Sequence, residues 1–164
     1  MKNKRYAVQF RRKRELRTDY RKRAAMLLSG KPRIVVRKTL RQIIIQVAEM
    51  TGKGDKIIVS TDSNALRKHG WNQGMNICTA YLTGYMAGIK ATHKGVKEGV
   101  LDIGKQVHVK GGRIYAALKG MVDAGLSINH DSTVFPRQER LAGTHMKKQN
   151  TAQEIESVKT RLKG

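Results

Sequence analysis

From Arg33 the pattern of the chain takes a period of two, and that period makes extended strands the expected form of this stretch. "RIVVRK", "IIIQVAEM" and "KIIVS" each read as a strand, and the Gly-containing turn "TGKGD" between the last two makes an antiparallel meander the expected arrangement. In the first strand Arg33, Val35 and Arg37 share one face and Ile34, Val36 and Lys38 the other. Two arginines on one face cannot both be buried unpaired, so that face is expected to meet solvent or an anion. The period then becomes helical. Residues 75–94 carry a stripe of Cys78, Leu82, Tyr85 and Ile89 and a second face of small residues, Ala80, Gly84, Ala87 and Ala91, which suits close approach to a sheet. "GVLDIG" reads as a short buried strand, and residues 113–124 as a helix that turns Ile114, Ala117, Leu118 and Met121 inward before Gly125 ends it. Strands interrupted by helices imply an α/β core. The 164 residues suffice for one such core with appendages. The expected divisions are a basic arm and helix at 1–30, the α/β core at 31–128, and a basic extension at 129–164 with a short helix near 151–162.

Charge says who the partner is. Lys and Arg number 34 against 12 Asp and Glu, a formal net charge of +22, and such an excess concerns polyanions rather than fold. Residues 1–23 hold 11 basic and 2 acidic side chains, and residues 31–41 hold 5 basic and none acidic. Two separated segments of one sign point to nucleic acid more than to a solvated face or an address tag, and the arginine fork suits phosphate. Within the first segment Thr18 reads as an N-cap and Asp19 as a first-turn residue of a helix stopped by Gly30. Its stripe of Tyr20, Ala24, Leu27 and Leu28 is expected to dock on the core and leave Arg21, Lys22 and Arg23 facing outward. Residues 2–17 hold too much like charge to be stable alone and are expected to order only on a partner. The stripe is too narrow for an anionic membrane. Aromatics make up 5% of the chain with no stacking platform, and no helix-turn-helix or finger pattern is present, so a folded RNA read by shape and backbone is expected before DNA.

Other chemistries find little support. One cysteine, Cys78, allows no internal disulfide and no thiolate zinc site, which fits a reducing compartment. The N-terminus has no signal-peptide core and no apolar run approaches a membrane span, so a soluble intracellular protein is expected. A metal-dependent, RNA-processing nuclease would need clustered acids, but Asp62, Asp102 and Asp123 are scattered; Asp62 reads as a cap and Asp123 as the end of a helix. The histidines at 69, 93, 108, 130 and 145 show no ligand spacing. "TGKGDK" and "KGGR" lack phosphate-loop spacing and read as turns. Trp71 reads as a plug over the core. No catalytic residue, metal or cofactor is expected.

"TDYRKRAAMLLSGKPRIVVRKTLRQIIIQV", "STDSNALRKHGWNQGMNICTAYLTGYMAGIKA", "GVLDIG" and "VDAGLSINHDSTVFPRQERLAGTHM" closely resemble the archaeal and eukaryotic branch of the universal 5S-rRNA-binding family of the large ribosomal subunit, protein eighteen. The tail "FPRQERLAGTHM" favours the archaeal form. The resemblance implies a ribonuclease-H-like motif with a mixed sheet flanked by helices. It also implies a structural, non-enzymatic role in the central protuberance of the cytoplasmic ribosome. The implied partners are 5S rRNA, 23S rRNA and large-subunit protein five, with no membrane and no DNA. Carried over by position, the arm "RRKRELRTDYRKR" implies rRNA contacts by Arg11, Arg12, Lys13, Arg14, Arg17, Arg21 and Arg23. "KPRIVVRKTLRQ" implies contacts by Lys31, Arg33, Arg37, Lys38, Arg41 and Gln42. Many archaeal members read Ser-Asn where this chain has Thr39-Leu40, which removes any hydrogen bond that the Asn makes.

Overall fold

Two short helices, α1 (Arg11–Arg14) and α2 (Tyr20–Leu28), precede β1 (Arg33–Lys38), the central strand of a five-stranded sheet in the computed structural model, which describes residues 7–144 and 151–163. β2 (Ile43–Thr51) pairs antiparallel with β1, and β3 (Gly54–Asp62) antiparallel with β2, so the meander forms as expected. A 3₁₀ turn (Ser63–His69) leads to α3 (Ile77–His93) and then to β4 (Glu98–Asp102), which runs parallel to β1 on its free side. α4 (Arg113–Asp123) carries the chain to β5 (Ser127–Ile128), parallel to β4. The order β3-β2-β1-β4-β5 makes a mixed sheet of three antiparallel and two parallel strands, the ribonuclease-H-like arrangement. α5 (Gln138–Ala142) and α6 (Thr151–Lys163) complete the chain.

The alternation of side chains decides which sheet face becomes the core. Ile34, Val36, Ile43, Ile45 and Val47 are fully buried on the face packed by α3 and α4. Their neighbours Arg33, Val35, Arg37, Gln46 and Ala48 occupy the opposite face. A bulge offsets β3 by one residue: Val47 faces Val59 while Ala48 faces Ile57, which leaves Ile57 half-exposed.

At Gly84 the small-residue face of α3 approaches a helix, α4. A Cβ at Gly84 would lie 2.0 Å from the carbonyl oxygen of Ala117 in α4, and one at Gly120 would lie 2.1 Å from that of Tyr81. Both helices cover one sheet face side by side, so the closest approach is between their backbones. Trp71 is buried as a plug, its Nε1 donating to Thr79 Oγ1 at 2.8 Å. The helix expected near residues 151–162 also forms, and it buries Ile155 and Val158 against the body beside α3.

Three expectations for the N-terminal region need correction. Asp19, not Thr18, caps α2: its Oδ1 accepts from the amides of Arg21 and Lys22, both at 3.1 Å, and a carboxylate at that end also suits the helix dipole. Of the apolar stripe, only Leu27 is half-buried; Leu28 is 88% exposed and Tyr20 and Ala24 lie at the surface. The sheet face beside α2 mixes Arg33 and Arg37 with Val35, Ala48 and Ile57, and from α2 it is Ala25 and Met26, not Tyr20, Ala24 or Leu28, that border the cleft above it. An ion pair between Arg23 and Asp55 of β3, 2.8 Å long, ties the helix down. Upstream, Arg11–Arg14 forms a helical turn where disorder was expected, because Glu15 accepts from Arg11 at 2.7 Å and from Arg17 at 2.9 Å. Residues 2–6 lie outside the described residues.

Candidate nucleic-acid interface

The arginine-bearing face of β1 is organised by Asp102, which the parallel pairing sets opposite Val35. Arg33 Nη1 donates to Asp102 Oδ2 at 2.7 Å and its Nη2 donates to Asp55 Oδ2. Arg37 donates to Asp102 twice, to Oδ1 at 3.1 Å and to the backbone oxygen at 2.7 Å. The amide of Gly104 completes the site, donating to Asp102 Oδ1 at 2.8 Å. Arg33 is 5% exposed. Of the two expected partners, solvent or an anion, the chain itself supplies the anion, and the guanidinium of Arg33 is held within the protein by two carboxylates. Above this network lies a cleft of about 830 Å³, floored by Val35, Ala48 and Ile57 and rimmed by Arg12, Arg17, Lys22, Arg23, Arg37 and Lys105.

The thirteen positions carried over from the resemblance divide into two groups. Arg11, Arg17, Arg23, Lys31, Arg33 and Arg37 each hold a carboxylate, the partner of Lys31 being Glu98. Arg12 hydrogen-bonds Thr18, while Lys13, Arg14, Arg21, Lys38 and Arg41 have no carboxylate partner among the described residues. Lys38 takes and gives backbone hydrogen bonds with Gln106, which fixes the end of β1 beside the loop after β4. Gln42 accepts from Asn64, and Thr39 Oγ1 accepts from the Gln42 amide at 3.0 Å, closing the β1–β2 turn and leaving Leu40 93% exposed. The arm, α2 and this turn therefore carry cations still able to take an external anion.

Several cations near these positions had no signal in the sequence pattern. Lys105 borders the large cleft, and Lys110, Arg113 and Arg140 border a second one. They come from segments too far apart in sequence for any window to join them. Asp102 was legible only as an acid inside a buried strand, which signals a cation opposite without naming it.

The three aspartates considered for metal chemistry stand apart in role. Asp62 caps the 3₁₀ turn through the amide of Ala65, Asp102 binds the arginines, and Asp123 accepts from Tyr81 Oη and Lys119. Among the described residues no three His, Cys, Asp or Glu side chains converge as a metal ion requires, and no helix is long and apolar enough to cross a membrane. Burial raises the thiol pKa of Cys78, which keeps it protonated and inert.

Comparison with known proteins agrees with this surface. A family described as "Ribosomal large subunit proteins 60S L5, and 50S L18" matches residues 4–100. The large ribosomal subunit protein uL18 of Korarchaeum cryptofilum is 49% identical over 143 residues, covering 87% of this chain and 73% of that protein. The uL18 of Methanococcoides burtonii is 44% identical over 163 residues, covering 96% of this chain and 94% of the other. That of Methanothermobacter thermautotrophicus is 42% identical over 159 residues, with 96% and 83% covered. With its basic arm and arginine-bearing sheet, this chain belongs to that family and is an rRNA-binding protein of the large ribosomal subunit.

Proposed function

We propose that this chain binds 5S rRNA and holds it to 23S rRNA in the large subunit of the cytoplasmic ribosome, beside large-subunit protein five, without performing a chemical step. The observation that carries this reading is the division of the cations. Acids neutralise those that build the sheet face, while Arg12, Lys13, Arg14, Arg21, Lys38 and Arg41 remain available on the arm, α2 and the β1 end. A buried arginine network gives those cations a rigid platform, so fewer long side chains need ordering when phosphates arrive. Arg33 serves as part of the platform, and Gln42 acts through the turn it closes. The fold alone would permit nuclease chemistry, but activity follows the site and not the fold.

The test is a filter-binding titration of the purified chain against 5S rRNA, a 23S fragment, tRNA and duplex DNA. Preference for 5S rRNA is expected, with log K falling against log[salt] at a slope on the order of 5, as about six phosphate contacts imply. Equal affinity for tRNA would overturn the assignment of 5S rRNA. A slope near 1 would show the arm to be a solvated face.

A further inference from the structure

A second basic cleft, of about 410 Å³, lies across the 105–109 segment from the arm cleft. Side chains alternate along this segment: Gln106 and His108 line the arm cleft, while Val107 and Val109 line the second one, where they are 76% and 55% exposed. Lys38, Lys110, Arg113 and Arg140 converge on it from the end of β1, the "KGGR" turn and α5. None of the four has a carboxylate partner among the described residues, and all twelve acids of the chain are described. Arg113 donates only to the backbone oxygen of Met75. Asp131, the acid that feels the field of Lys110, is an exposed cap of the Thr133 amide. Between the cations, Gly111 at φ +67° turns the chain, and Gly112 lets Val109 pack on its backbone, where a Cβ would lie 2.8 Å from the Val109 oxygen.

Four cations without a carboxylate partner around one cleft attract an anion, and phosphate contacts of this kind position a nucleic acid without reading its sequence. We propose that this cleft seats a phosphodiester group of the bound RNA, a second anchoring point continuous with the arm cleft across the 105–109 segment. The proposal deepens the reading of the chain as an rRNA-binding protein and rests on it. The partner is RNA backbone and not a free metabolite, because the cleft opens beside the arm cleft and shares its sign.

The experiment compares two charge-matched double variants of the full chain. Lys110→Ala with Arg140→Ala removes two cations from the cleft. Arg67→Ala with Lys68→Ala removes two exposed cations from the 3₁₀ turn, outside both clefts. With 5S rRNA as probe, the cleft pair is expected to lower the salt slope by about 2 and the control pair to leave it unchanged. Ultraviolet cross-linking should place RNA on the peptide spanning residues 105–113. Equal slope losses in the two pairs, or no loss in the cleft pair, would overturn the proposal. Loss of 5S preference in the unaltered chain would instead count against the proposed function. In that case the same slope comparison on tRNA still decides whether the cleft holds phosphate.

Discussion

Asp102 is the side chain on which the basic sheet face depends. It accepts from Arg33, Arg37 and the Gly104 amide within a largely buried site. Removing one partner of such a pair leaves a desolvated charge, so Asp102→Ala is expected to cost about 3–5 kcal/mol in urea unfolding. Lys31→Ala breaks a pair whose two side chains are roughly half exposed, and it should cost less than about 1 kcal/mol in the same assay. A similar cost for both would mean that Arg33 finds another acceptor. That Arg33 and Arg37 would meet either solvent or an anion was legible from their shared face. The identity of the anion was not, because 69 residues of chain separate Arg33 from Asp102 and only the parallel pairing of β1 with β4 brings them together. Tyr81 supplies a second test at this scale. Burial, then the charge and hydrogen bond of Asp123, raise its phenol pKa well above the usual value of 10.0. The folded chain thus keeps a proton there that the unfolded chain loses above pH 10, so this group's contribution to stability falls as pH rises through that range. In an absorbance titration Tyr81 should ionise late, well above pH 10, and Tyr81→Phe should remove that late phase.

At the scale of elements, the crossing of α3 over α4 sets how closely the helical layer packs. Gly84 and Gly120 each present a bare backbone to the other helix, so Gly84→Ala must force the helices apart and should cost about 1–3 kcal/mol or more. Gly52, with nothing within 4 Å, should tolerate Ala with little change. Calorimetric melting of the two variants distinguishes a close-packed crossing from a general intolerance of alanine. The small-residue face of α3 was readable from spacing, since a 3.6 period shows which residues share a side. What lay against that side was not readable, because periodicity describes one element and packing involves two. α2 teaches the same limit: its apolar stripe is real, yet Tyr20, Ala24 and Leu28 stay at the surface while an ion pair ties the helix to β3. Helix and strand positions were therefore the most legible part of the sequence, and the docking of the arm the least.

Taken whole, the molecule sets its charge against its own cohesion. A net charge of +22 on 164 residues repels itself, so added salt should raise the melting temperature of the free chain while weakening its hold on RNA. Melting curves and RNA titrations at about 50 and 200 mM salt measure both responses, and parallel changes would show that short ion pairs, not self-repulsion, dominate the free chain. The sequence made the excess charge plain but not which cations are spent on the fold, a division that depends on twelve acids placed by tertiary structure. The pairing of Arg33 with Asp102 also has a meaning in time. Synthesis runs from the N-terminus, so Arg33 is made first and its buried counter-ion follows 69 residues later, on the order of 3 to 14 s at about 5–20 residues per second. Asp55 follows only 22 residues behind Arg33, so for most of that interval the central strand has one of the two acids that hold its arginine, and a chain this basic is then most open to capture by whatever polyanion lies nearest.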